Sequence, residues 1–163
     1  MRVVNVLAQQ PVAEIADYTE NSDRPLEGTL PTELPTHEPV RGYVTRGYET
    51  RTGIADPTHY GTDFAAREGT TVEAAADGIV VFAGWSYPYG NLLVLSHKLG
   101  YHTFYGHNLT LLVEPGEHVT QAQPIALVGN SGRSSAPHLH FEIWKEGRRV
   151  DPESFLAGSG TGS

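Results

Sequence analysis

Residues 138–151 read HLHFEIWKEGRRVD. Apolar and polar residues alternate from His138 through Ile143, and the pair Glu146-Gly147 breaks the run after Trp144 and Lys145. A period of two is the mark of a strand, whose successive side chains point to opposite faces. The glycine supplies a turn. This stretch is therefore a strand followed by a tight turn. It puts His138 and His140 on one face and Leu139 on the other, toward a core.

Similar segments surround it. GYVTRGYE (42–49) and YHTFYGH (101–107) alternate, while NLLVLSH (91–97) and PIALVGN (124–130) are short apolar runs. GTTVEAAADGIVVFAGW (69–85) contains two runs with Asp77-Gly78 as a turn between them. Turns at this spacing, without a sustained helical period, predict an all-β, compact antiparallel sheet or sandwich. With 163 residues, 18 of them glycine and 11 proline, the chain suits one domain with tails.

The domain is expected over residues 41–156. Residues 1–40 contain prolines at 25, 31, 35 and 39 and read as an extended, Pro-rich linker or strap, with a short helix conceivable over PVAEIADYTE (11–20). Residues 157–163 are small and polar and read as a flexible tail. No apolar run is long enough to span a membrane, and the N-terminus MRVVNVLAQQ is not a convincing signal peptide. A net charge of −8 without any basic stripe argues against nucleic acid. The chain has no cysteine, which excludes disulfides, thiolate metal sites and a thiol nucleophile.

Chemistry concentrates in three short contexts: HYGTD (59–63), YGH (105–107) and HLH (138–140). Along an ideal strand His138 and His140 are roughly 6.5 Å apart, too far to clasp one ion side by side but suited to one ligand and one neighbour. His59 and Asp63 would lie about 13 Å apart on a flat strand, so Gly61 is expected to let the chain arch and bring them together. A third donor from HLH would complete two histidines and one aspartate, a borderline set suited to zinc with an open position for water. There is no HExxH glutamate, so the leftover imidazoles, His107 and His138, are the candidates for moving the proton.

Taken together these motifs resemble the lysostaphin-type (LytM-like, β-lytic) zinc metalloendopeptidases. The likeness runs from RGYVTRGYETRTG through HYGTDFAAREGTTVEAAADGIVVFAG, YGNLLVLSHKLGYHTFYGHNL and VEPGEHVTQAQPIALVGNSGRSSAPHLHFEI to VDPESFL. Ala122-Gln123-Pro124, Ala136 and Gly106 depart from the usual pattern without touching a ligand position. The resemblance implies a LytM-type β fold with a narrow groove over one Zn2+. His59, Asp63 and His140 fall on its metal ligands, and His107 and His138 on its catalytic histidines. It further implies hydrolysis of peptidoglycan peptides, in cross-links or stems, in the periplasmic or extracellular cell envelope, with an envelope activator or inhibitor conceivable as partner.

Other residues are set aside. His97, His102 and His118 read as packing or surface groups, although the first two flank the turn KLG and could border a groove. His37 belongs to the strap, and the upstream segment could fold back over the site. Arg133, Ser134 and Ser135 are candidates for substrate contact, as are Trp85, Tyr87 and Tyr89. No GxSxG elbow and no Walker pattern is present. Two rival readings stand beside the enzyme: a non-catalytic wall-binding module that activates other hydrolases, and a β domain stabilised by a structural zinc with four protein ligands.

Overall fold

A computed structural model describes residues 31–49 and 59–160. The helix considered over residues 11–20, and any reach of residues 1–30 over the site, lie outside the described residues. Ten strands are assigned: β1 (Tyr43–Arg46), β2 (Thr62–Ala65), β3 (Thr71–Glu73), β4 (Gly78–Ser86), β5 (Gly90–Ser96), β6 (Tyr101–Leu111), β7 (His118–Val119), β8 (Pro124–Val128), β9 (His138–Lys145) and β10 (Arg148–Val150). A terminal helix α1 (Glu153–Gly160) closes the described chain.

All pairings between them are antiparallel. The spatial order is β1-β2-β9-β6-β5-β4-β7, with β10 beside β9 and β3 beside β8. β6 serves twice, its first part pairing with β5 and β9 and its last part with β8.

The runs without alternation are buried on both faces. In β5, Leu93 and Leu95 join the main core with Tyr105, Ile125, Leu139, Phe141 and Ile143. Leu92 and Val94 face the other way, into a second cluster with Tyr89, Phe104 and Trp144. Each such aliphatic or Phe side chain, fully buried, stabilises the fold by about 1.5–3 kcal/mol before entropy is counted. The alternation in β9 then has a clear meaning. Leu139, Phe141 and Ile143 are wholly buried in the main core, leaving His138, His140, Glu142 and Trp144 on the opposite face.

The turn expected at Glu146-Gly147 is a two-residue hairpin, with Lys145 paired to Arg148 and both turn residues at positive φ, 49° and 76°. Such primed turns match the twist of the flanking strands, and glycine adopts that conformation without a Cβ penalty. The other expected turn, Asp77-Gly78, does not join a hairpin. β3 pairs with β8 and β4 with β5 and β7, while the Asp77 carboxylate accepts the Gln121 N–H at 2.7 Å.

The strap also differs from expectation in its last residues. Val40 is buried and Leu34 packs against the main core. The His37 N–H donates to Ala75 O, and the Glu73 N–H to Pro39 O. The buried run Ala74–Ala76 has no side chain large enough to hold this segment off. At the other end, the backbone of residues 157–160 continues α1 where a flexible tail is expected. Asp151 caps that helix, its carboxylate accepting the Glu153 N–H at 3.0 Å, with Pro152 between them. Among the described residues no helix is long and apolar enough to cross a membrane.

Candidate metal centre

The β2–β9 register sets Asp63 opposite His140 and Ala65 opposite His138. Directly paired residues of an antiparallel ladder have their side chains within reach of one another. The Asp63 Oδ1 accordingly lies 2.7 Å from His140 Nδ1. His59 arrives from the segment before β2, its carbonyl accepting the Glu49 N–H, and its Nε2 is 3.2 Å from Asp63 Oδ2. One donor atom from each of His59, Asp63 and His140 lies within 4.8 Å of the others.

His107 and His138 stand beside this group. Their rings are 4.7 Å apart, and the His107 ring is 6.0 Å from that of His140. His138 Nε2 is 3.9 Å from Asp63 Oδ1. The structure thus brings all five sequence-derived candidates to one place. His107 sits there with φ of 63°, a left-handed conformation that is uncommon for any residue but glycine.

The four imidazoles are oriented by the same device. His59 Nδ1 donates to Gly47 O at 2.8 Å and His107 Nδ1 to Ser131 O at 2.7 Å. His138 Nδ1 donates to Ala136 O at 2.8 Å, with the Ser134 hydroxyl at 3.1 Å. His140 Nε2 donates to Glu142 Oε1 at 2.9 Å. In each ring an acceptor holds the proton of the rear nitrogen, and the other nitrogen faces the site.

Burial and partners shape the charges. Burial alone would raise the Asp63 carboxyl, but hydrogen bonds from His140 and His59 outweigh it and hold the group well below the usual carboxylate range. Burial opposes a charge on His140 as well, yet its bonds to Asp63 and Glu142 raise it to about 9. Burial pushes His107 down to about 4, so this imidazole is neutral at pH 7.

Sequence reading missed Glu142, Ser131 and Arg149 as parts of this site and offered Tyr89 only as a candidate for substrate contact. The Ser131 side chain is itself pinned, accepting the Asn91 N–H and donating to Asn108 O. Glu142 is 2% exposed and bonded to His140, Tyr89, Trp144 and Arg149. The signal for it was the strand period, since Glu142 follows His138 and His140 on their own face.

Of the residues set aside, His97 is buried with Nδ1 donating to Asp77 O at 2.7 Å, and His118 is exposed. His102 is buried too. His37 pairs with Glu73. The aromatics of WSYPY divide: Trp85 and Tyr87 are 55% and 54% exposed, whereas Tyr89 is 9% exposed. Arg133 and Ser135 are exposed near His138 in sequence.

Two imidazole nitrogens and one carboxylate oxygen, each facing inward and each histidine backed by an acceptor, are a donor set that fits zinc. Zinc ligands lie at about 2.0–2.2 Å from the ion; here His140 Nδ1 and His59 Nε2 stand 2.7 and 3.2 Å from the Asp63 carboxylate. The cluster supplies three protein donors among the described residues.

Known proteins are similar to this chain in sequence and in fold. Murein hydrolase activator EnvC of Escherichia coli is 45% identical over 96 residues, 59% of this chain and 23% of that protein. The catalytic domain of the antimicrobial peptidase lysostaphin from Staphylococcus simulans superposes with a TM-score of 0.64 at 36% identity, over 71% of this chain and 92% of that one. A zinc containing peptidase from Vibrio cholerae superposes with a TM-score of 0.65 at 36% identity, over 74% of this chain and 39% of that one. The chain spans 22–30% of the length of the curated relatives it matches. The profile of peptidase family M23 matches residues 57–152, well over half of the sequence, and the chain belongs to that family.

Proposed function

We propose that this chain is a zinc-dependent endopeptidase that hydrolyses peptide bonds of peptidoglycan in the cell envelope. The observation that carries the reading is the convergence of four oriented imidazoles and one carboxylate on a single space. His59 Nε2, Asp63 and His140 Nδ1 would hold the metal. Bound there, zinc supplies Lewis acidity, which polarises a carbonyl oxygen and makes water acidic enough to attack at neutral pH.

His107 and His138 carry the proton work in this proposal. Their Nε2 atoms face the site while backbone carbonyls hold their Nδ1 protons. One imidazole accepts the proton of the attacking water as the new C–O bond forms. The other, in its doubly protonated form, keeps its Nδ1 proton on the backbone carbonyl and donates its Nε2 proton toward the oxygen of the scissile carbonyl. The proton taken up is then delivered to the departing amine as the C–N bond breaks. Each such positioned proton transfer contributes about 10²–10⁴-fold in rate.

The similarity to EnvC favours a second reading, a module that regulates other wall hydrolases without cutting. One experiment separates the two. Cross-linked peptidoglycan is incubated with the zinc-loaded chain, and new amino termini are counted. The enzyme reading expects new termini that vanish on chelation and in His140→Ala, which should also lose metal. Full hydrolysis by metal-free protein would sink the zinc mechanism. Binding to the wall without new termini would establish the regulatory reading instead.

A further inference from the structure

Glu142 lies behind His140, away from the space where the five candidate residues meet, and is 2% exposed. Its Oε1 accepts from His140 Nε2 at 2.9 Å and from the Tyr89 hydroxyl at 2.8 Å. Its Oε2 accepts from Trp144 Nε1 at 2.8 Å and from Arg149 Nε at 3.4 Å. An ionised carboxylate offers about four lone-pair sites, and here four donors fill them. A buried carboxylate would be costly without such partners.

The donors are not equivalent. Indole and guanidinium groups can only donate, so Oε2 has to be an acceptor. A tyrosine hydroxyl and an imidazole nitrogen can donate or accept, and the ionised carboxylate makes both of them donate. For His140 this keeps a proton on Nε2, so that Nδ1, the atom that faces Asp63, is the nitrogen that gives up its proton to a metal. Arg149 is held in turn, with its guanidinium 4.3 Å from the Trp144 ring and 4.7 Å from the ring of Tyr60, next to His59 in the chain.

We propose that Glu142 is a positioning residue of the metal centre, holding His140 in the tautomer whose Nδ1 completes the donor set with His59 and Asp63. This rests on the zinc reading given above. Trp144 and Arg149 act one step further out, by fixing the direction of the carboxylate.

Glu142→Gln is a sharp test because the amide cannot satisfy all four neighbours as acceptors. Its NH2 group set against Trp144 and Arg149 would oppose donors with a donor. Turned the other way, the NH2 faces Tyr89 and His140, both of which can accept. That orientation leaves the His140 proton on Nδ1, the nitrogen the metal needs.

The experiment uses the full chain, metal-free, titrated with zinc against a chromophoric chelator. Failure of the unmodified chain to bind zinc overturns the metal reading itself. Given binding, Glu142→Gln should weaken zinc by about 10–100-fold, the usual effect of removing an outer partner of a metal-bound histidine. A folded variant whose affinity stays within about threefold of the unmodified chain overturns the positioning role. Nitrogen-15 spectra of the imidazoles supply a reading that needs no variant. In the zinc-loaded unmodified chain, His140 should carry its proton on Nε2 and the metal on Nδ1. The reverse assignment overturns the proposal. In metal-free Glu142→Gln the proton on Nε2 should be lost while Nδ1 keeps the one shared with Asp63, a change that a purely structural role for Glu142 would not produce.

Discussion

The conversion of Gly61 to alanine tests how the site is assembled. A Cβ at Gly61 would lie 2.6 Å from Phe141 O, 2.9 Å from His140 Cε1 and 3.0 Å from Glu142 Cγ. Its φ lies outside the left-handed region, so the backbone conformation there does not itself call for glycine. The requirement is space between the entry to β2 and the backbone of β9. Relieving the contact with Phe141 O to 3.0–3.4 Å means a shift of 0.4–0.8 Å (3.0 − 2.6 and 3.4 − 2.6). A metal site tolerates ligand distances within only about 0.2 Å of their preferred values, so this movement is two to four times too large. The overpacking should lower stability by about 1–3 kcal/mol. Zinc affinity should fall by about 10–100-fold, as when a ligand loses its supporting contacts. Urea unfolding of the metal-free variant reads the first effect, and zinc titration against a chelator reads the second. A Gly61→Ala protein with an unchanged unfolding midpoint and unchanged affinity would refute the close-approach argument.

Three further outcomes are expected. Tyr105→Phe removes the buried hydroxyl that accepts the Ala75 N–H at 3.0 Å, and an unsatisfied buried donor should lower stability by about 1–3 kcal/mol with zinc affinity unchanged. Burial pushes His97 and His102 down from 6.5 to about 4. Their contribution is therefore complete above pH 6.5 and is lost as pH falls toward 4, because the unfolded chain takes up the proton first. At pH 5.5 each is expected to remove about 1.4 kcal/mol relative to pH 7.5. In metal-free urea unfolding, His102→Phe should flatten the pH dependence by that amount, and an unaltered slope would contradict the assignment. His107→Gln and His138→Gln should each keep zinc within a small factor while slowing peptidoglycan hydrolysis by about 10²-fold or more. Loss of metal in either variant would move that residue into the ligand set.

Much of this architecture was legible because period-two patterning speaks directly about faces. The apolar runs in β5 and β8, the turn at Glu146-Gly147 and the shared face of His138 and His140 all follow from local sequence. Long-range pairing was less accessible. Nothing in GTTVEAAADGIVV indicates that β3 leaves its neighbour for β8, since register depends on which partner edge is free after folding. Gly61 was read as letting the chain arch, and His59 and Asp63 do meet, but its clearance against Phe141, 80 residues later, was not legible. Glu142 was on the legible face, but an acidic residue beside a lysine-bearing turn reads as solvent-exposed. Its burial depends on Tyr89 from the β4–β5 connection and on Arg149, paired with Trp144 across a hairpin. The strap was misjudged for the same reason, because proline content reports backbone preference and not where Val40 and Leu34 find cover.

The backbone at His107 bears on whether this geometry is built for chemistry. A non-glycine residue in the left-handed region costs on the order of 1–2 kcal/mol and persists only where its surroundings over-determine it. Here they do. The His107 N–H donates to Tyr89 O, its Nδ1 donates to Ser131 O, and Ser131 is pinned by Asn91 and Asn108. Tyr89 meanwhile donates its hydroxyl to Glu142, which backs His140. One connected set of hydrogen bonds therefore fixes a proposed metal ligand and a proposed proton carrier at once. A surface that only binds wall peptide has no use for such strain, because any polar residue in relaxed geometry could make equivalent contacts. A centre that must place an imidazole nitrogen beside a reacting water has a direct use for it, since misplacement by about 1 Å can reduce the rate 10²-fold. The strained residue and its supports thus weigh toward the catalytic reading over the regulatory one.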